Sequence, residues 1–229
     1  MRIITPEDAS VLQVCLDCLP FFDTFSDQEK QDLLGGGADL ISYETGEFLI
    51  EEGGDDQMLF FLLSGAASVV KKGASIPIAE LKPGDLFGEM AFLTEQKRTS
   101  NVIVHPVSSS NTQSAASVLS EALSTQLCPD DPSPTISLRF NRVVLDQIAK
   151  DTRFKIKDQI IAVLVARMED ISEVVEESFG EAPAFPIDPE LDKMMAEGVE
   201  ENLEQIKDQI ILHLVEFIVL LNQKMLGDT

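Results

Sequence analysis

The chain has 229 residues, 44% of them hydrophobic and 25% charged, which suits one sizeable domain with an appendage, or two small domains. A formal net charge of −23 at pH 7 argues against nucleic acid or an anionic membrane as partner, because phosphate recognition depends on clustered Lys and Arg; the alternative is that the acidity serves only solubility. Met1 to Pro20 lacks the basic-then-apolar order of a secretory signal, and the apolar run Ile210 to Leu221, broken by His213 and Glu216, falls short of a bilayer span, so a cytoplasmic location and no membrane span are expected.

In chain order, Pro6 to Leu34 reads as helical, with Val11, Val14, Cys15 and Leu19 spaced for one face and a capping box at Ser26 to Glu29, and it is stopped by Gly35, Gly36 and Gly37. From Asp39 to His105 short β-branched and aromatic segments alternate with glycine turns, the signature of an all-β sandwich or barrel. Val107 to Pro134 is rich in Ser and Pro and reads as an insertion between the last two strands, lying in solvent. Thr135 to Phe140 resumes as a strand; Asn141 to about Ser178 carries apolar residues at helical spacing and predicts a short helix followed by a long one. An acidic, proline-containing linker is expected over 179–190, then a C-terminal helix to Leu226, so the domains read as 1–178, 179–190 and 191–229. The hexapeptide Ile156-Lys157-Asp158-Gln159-Ile160-Ile161 recurs identically at Ile206-Lys207-Asp208-Gln209-Ile210-Ile211, a hint that the two helices are partners.

Three cysteines, Cys15, Cys18 and Cys128, give no disulfide framework; the Cys15–Cys18 pair lies on an apolar helix pattern with no second ligand pair, so packing is expected and no metal. His105 and His213 have no evident nucleophile to serve, and no catalytic set is present; the chain reads as a non-enzyme.

The segment Leu81 to Val102 carries the chemistry. A turn at Pro83-Gly84 leads into an apolar pair, then Gly88-Glu89, one helical turn, Lys97-Arg98-Thr99 and a strand. A helix starting at Glu89 directs the N–H groups of about Met90 and Ala91 at an anion, and Gly88 lets that anion approach. Arg98 is expected to give a fork of hydrogen bonds to two phosphate oxygens, and Thr99 adds a hydroxyl. A carboxylate beside phosphate needs donors of its own, and a pair of sugar hydroxyls suits Glu89; a plain surface Glu–Arg ion pair is the alternative.

These residues resemble a known family. Phe87-Gly88-Glu89-Met90-Ala91 and Arg98-Thr99-Ser100-Asn101-Val102 look like the phosphate-binding cassette of cyclic nucleotide-binding domains, of the type found in catabolite activators and protein-kinase regulatory subunits. Gly46-Glu47, Gly53, Phe60, Leu62 and Gly65 fall where that family keeps Gly-Glu, Gly, an aromatic, an aliphatic and Gly. The resemblance implies an α+β fold, an eight-stranded jelly-roll-like barrel between N-terminal and C-terminal helices, with Glu89 on the ribose 2′-hydroxyl and Arg98 and the Ala91 N–H on the cyclic phosphate. It implies a ligand site of Gly88, Glu89, Met90, Ala91, Arg98, Thr99 and Ser100, with cAMP favoured and cGMP conceivable through Thr99, and no cofactor besides that ligand. Gly54, Gln57 and Ser100-Asn101 depart from the family pattern, the first pair being expected to affect turn rigidity more than binding.

The residues after the long helix are acidic, which excludes a helix-turn-helix reader. Two classes remain: a regulatory sensor that signals through its helices to itself or to a partner protein, and a non-binding barrel that serves as a scaffold. Ile206, Ile210, Leu214, Phe217, Ile218 and Leu221, with Ile211, Val215 and Val219, leave almost no polar face, so the helices Phe154 to Ser178 and Pro189 to Leu226 are expected to form a homodimer interface, the alternatives being a different partner protein or folding back on the chain's own barrel and Phe154 helix.

Overall fold

A computed structural model of the chain describes residues 1–4, 10–73, 77–94, 96–106, 135–180 and 203–226. The insertion at 107–134 with Cys128, the linker at 179–190 beyond Gly180, and the start of the C-terminal helix lie outside the described residues. Two compact units divide at Ala149, so the long helix groups with the C-terminal helix and not with the strands.

The first unit is a jelly-roll-like pair of antiparallel sheets. One holds β1 (Arg2–Ile4), β2 (Ala38–Tyr43), β9 (Thr135–Asn141), β4 (Met58–Ser64) and β7 (Leu86–Phe87) in that spatial order. The other holds β3 (Phe48–Ile50), β8 (Asn101–Val104), β5 (Ala67–Val70) and β6 (Ala79–Leu81). Among the described residues the sheets remain open and do not join into one barrel, and β1 is an edge strand too short to have been read from periodicity.

Period-two alternation decides where β4 sends its side chains. Phe60 and Leu62 point between the sheets and join Ile41, Leu49, Val102 and Val104 in one buried cluster. Phe61, on the opposite face and fully buried, meets Phe21, Phe22 and Phe140 with ring centroids 5.1, 5.2 and 6.1 Å away. A strand apolar on both faces therefore has a sheet on one side and an aromatic layer from the N-terminal segment on the other.

That segment is less continuous than its pattern predicts. α1 (Ser10–Asp17) ends before a 3-10 turn at Pro20–Phe22, and α2 (Asp27–Gly35) starts afresh. Pro20 has no N–H to extend the first helix, and Ser26 caps the second. The capping box is present in full: Ser26 N–H donates to Glu29 Oε2 at 2.8 Å, and the Glu29 N–H donates to Ser26 Oγ at 3.3 Å. Cys15 is buried and unbonded in α1, its thiol pushed up to about 12 by burial with Cys18 nearby, which agrees with packing rather than redox use.

Gly65 shows why the turn after β4 needs glycine. Its φ is +85°, and a Cβ there would stand 2.1 Å from Thr135 Oγ1, at the start of β9.

The second unit is a helix pair. α5 (Lys150–Phe179) follows the short α4 (Val144–Gln147) of the first unit, the short-then-long order expected, and packs against α6 (Leu203–Leu226). Arg153 pairs with Glu204 at 3.2 Å and Lys157 with Asp208 at 2.6 Å, while Val175 clusters with Phe217 and Leu221. Residue numbers rise together along the two helices, so they run parallel. Ile211, Leu214, Val215, Phe217, Ile218 and Leu221 are buried within a single chain, whereas Ile206, Ile210 and Val219 are half-buried and Leu203 and Leu220 stay exposed. No helix among the described residues is long and apolar enough to cross a membrane.

Candidate functional site

The turn after β6 is pinned to β4 before the site begins. The Gly84 N–H donates to the Leu62 carbonyl at 2.8 Å, and the Leu62 N–H donates to the Asp85 carbonyl at 2.9 Å. β7 then delivers Phe87 onto Phe60, the rings stacked with centroids 5.2 Å apart. Gly88 follows with φ +79°, and α3 (Glu89–Thr94) starts at Glu89, as the sequence predicts. Any Cβ at Gly88 would sit 2.8 Å from the Arg98 guanidinium, 3.0 Å from the Met58 carbonyl and 3.1 Å from the Phe60 ring.

Arg98 comes to the same spot from the far side of α3, and both it and Glu89 are buried, each 4% exposed. Its backbone is clamped to the loop after β3: the Arg98 N–H donates to the Gly54 carbonyl at 2.9 Å, and the Gly53 N–H donates to the Arg98 carbonyl at 2.8 Å. Its guanidinium lies over Phe60, 5.5 Å from the ring centroid. Ala91 is buried in the first turn of α3, Met90 and Ser100 are half-buried, and Thr99 donates to Met90 Sδ at 3.7 Å. The structure thus gathers Gly88, Glu89, Met90, Ala91, Arg98, Thr99 and Ser100 around one turn and one strand end, and a surface ion pair is not what forms.

The fork of Arg98 is directed differently from expectation. Nη2 and Nε both donate to the Asp56 carboxylate, Nε at 3.2 Å; Nη2 also donates to the Met58 carbonyl at 2.7 Å and Nη1 to the Gly88 carbonyl at 2.9 Å. A buried cation needs such partners, and a bidentate carboxylate is the strongest on offer. The Asp56 side chain is itself 47% exposed, so this partner stands at the water boundary.

Sequence reasoning missed two contributors. Asp56 is the first; its signal was an acidic pair, Asp55-Asp56, in the loop that must face the arginine. Asn101, noted only as a departure from pattern, is the second: its Oδ1 accepts from the Glu52 N–H at 2.8 Å and ties that loop to β8. Gly54 also does more than stiffen a turn, since a Cβ there would lie 3.0 Å from the Glu51 carbonyl and 3.6 Å from Arg98 Cγ. Elsewhere His105 meets Glu80 through Nε2 at 2.6 Å, and His213 Nδ1 lies 2.7 Å from the Gln209 carbonyl one turn back in α6. Among the described residues no cluster of His, Cys, Asp or Glu could hold a metal ion.

Two open sheets, a buried Gly-Glu turn and a buried arginine returning to it define a jelly-roll-like module built round an internal cation. The chain's fold is like that of a cyclic nucleotide-binding domain from Methylobacillus flagellatus, with a TM-score of 0.53 at 17% identity over 73% of this chain and 82% of that one. Residues 40–108 match the model of the family described as cyclic nucleotide-binding domain. Regulatory subunits of cAMP-dependent protein kinase from Aspergillus fumigatus and Emericella nidulans are 31% and 30% identical over 88 and 87 residues. Each match covers 38% of this chain and 21% of the relative, so the chain spans about a fifth of the proteins it resembles.

Proposed function

We propose that the chain is a regulatory module that binds a 3′,5′-cyclic mononucleotide, cAMP in preference to cGMP, without catalysing a reaction, and acts on a partner protein or a second copy through its helices in the cytoplasm. Arg98 takes the cyclic phosphate, Glu89 the ribose 2′-hydroxyl, and Gly88, Met90, Ala91, Thr99 and Ser100 line the site. The observation that carries the reading is a buried arginine aimed at a Gly-Glu turn that only glycine can form, inside a segment that matches the cyclic nucleotide-binding family. The relatives, named as cAMP-dependent kinase regulatory subunits, support cAMP and a regulatory role.

A scaffold that binds no ligand is the second reading, and the Asp56 carboxylate already on Arg98 favours it. Calorimetric titration with cAMP and cGMP separates the two. The full chain should bind, and Arg98→Ala should weaken binding on the order of a hundredfold, the worth of a bidentate phosphate contact. A 2′-deoxy ligand should bind the unaltered protein less well, whereas Glu89→Ala should hardly distinguish the two ligands. If neither nucleotide binds, the scaffold reading stands.

A further inference from the structure

Thr99 lies just before the ladder that joins β8 to β5. The ladder ends on Val70 and Asn101, so the backbone of β5 turns away at Lys71-Lys72-Gly73 and supplies no N–H to the Thr99 carbonyl. A side chain supplies it instead, for the Lys71 ammonium donates to the Thr99 carbonyl oxygen. Ala67 and Val69 pack into the buried cluster between the sheets, and Lys71 is the next residue of that parity. Its ammonium is held on the main chain of a residue proposed to line the ligand site, next in sequence to Arg98.

The lysine's other neighbour is Glu52, whose carboxylate stands 3.4 Å from the ammonium. Glu52 is fixed by separate bonds: Oε2 accepts from the Lys72 N–H at 2.7 Å, and its own N–H donates to Asn101 Oδ1 at 2.8 Å. Loop, hairpin and the start of β8 are braced around Thr99 in this way. An ammonium has three N–H donors, and the Lys71 side chain remains 43% exposed, whereas the Arg98 guanidinium is buried and donates to Asp56, Met58 and Gly88. We infer that Lys71 is a second cation of the ligand site: seated on the Thr99 carbonyl at the water boundary, it attracts an anionic ligand whose charge Arg98, already paired with Asp56, does not neutralise alone. The inference rests on the reading of this site as one for a cyclic phosphate. The phosphate draws the ammonium from Glu52, its looser neighbour, while the Thr99 carbonyl keeps its hold. In a chain of net charge −23, a cation at this place also offsets the long-range repulsion of the ligand.

Calorimetric titration of the full chain with cAMP tests charge separately from shape. Lys71→Met should weaken binding about fivefold, the effect of one half-exposed charge, and Lys71→Arg should stay within about twofold of the unaltered protein. Raising sodium chloride to about 0.5 M should narrow the Lys71→Met loss, because a charge at the water boundary is screened. Glu52→Gln keeps an acceptor for the Lys72 N–H, leaves the ammonium without an opposing charge, and should tighten binding. Unchanged affinity in Lys71→Met, an equal loss in Lys71→Arg, or a Lys71→Met loss that salt leaves as it was each overturns the inference while the Arg98 reading stands. Should Lys71→Met fail to fold, Glu52→Gln decides: tighter binding supports the inference, and unchanged or weaker binding overturns it. If the unaltered chain binds no cAMP, the ligand reading and this inference fall together.

Discussion

Four N–H groups of Arg98 donate within the protein, two to Asp56 and one each to Met58 and Gly88, and a guanidinium has five. A cyclic phosphate that takes a two-pronged hold on Arg98 must therefore replace a partner, and Asp56 is the one to yield, because its carboxylate is half-exposed and repels phosphate. Asp56→Asn removes that competitor but leaves a buried cation with a weaker partner. The unliganded variant should melt below the unaltered protein, and saturating cAMP should raise its melting temperature by more than it raises that of the unaltered protein. Equal shifts in differential scanning calorimetry would show that Asp56 and the ligand do not compete.

Among the elements, α5 and α6 separate what holds a helix pair together from what decides its register. Leu164 is 1% exposed on α5, and its replacement by Ala should cost about 2–5 kcal/mol in urea unfolding, the usual penalty for a buried Leu cut to a cavity. Lys157 is also buried and pairs with Glu204 and Asp208 at 3.3 and 2.6 Å, yet Lys157→Met should change stability by no more than about 1 kcal/mol, because the lost attraction is offset by the relieved desolvation of the ammonium. A Lys157→Met loss as large as that of Leu164→Ala would mean that the ion pairs hold the helices together.

The whole molecule carries a net charge of −23 and is proposed to receive an anion. Beside Arg98 the acids are locally offset, Asp55 by the Lys97 ammonium at 3.4 Å and Asp56 by Arg98 itself, so the repulsion comes from the net charge of the chain as a whole. Long-range repulsion slows encounter and is screened beyond the Debye length of about 10 Å at 0.1 M salt. The association rate constant for cAMP, followed by stopped-flow fluorescence of a labelled analogue, should therefore rise with sodium chloride from low to physiological strength. A falling rate would place a locally positive entry over the site.

Local chemistry made much of this legible before any coordinates. Runs of β-branched and aromatic residues between glycine turns marked the strands from Asp39 on, Ser26 and Glu29 the start of α2, helical spacing α4 and α5, and the Gly88-Glu89 and Arg98 spacing the candidate site, because each depends on residues a few positions apart. Tertiary structure alone decided three things. It opened the strands into two sheets, with β9 inserted between β2 and β4, a pairing across about a hundred residues that no local pattern encodes. It set Asp56 on Arg98, 42 residues away, because a buried guanidinium accepts whichever carboxylate the folded loop presents. And it buried Ile211, Leu214, Val215, Phe217, Ile218 and Leu221 of α6 within one chain, where the sequence showed that cover was needed and only hinted, through the repeated hexapeptide, that α5 supplies part of it.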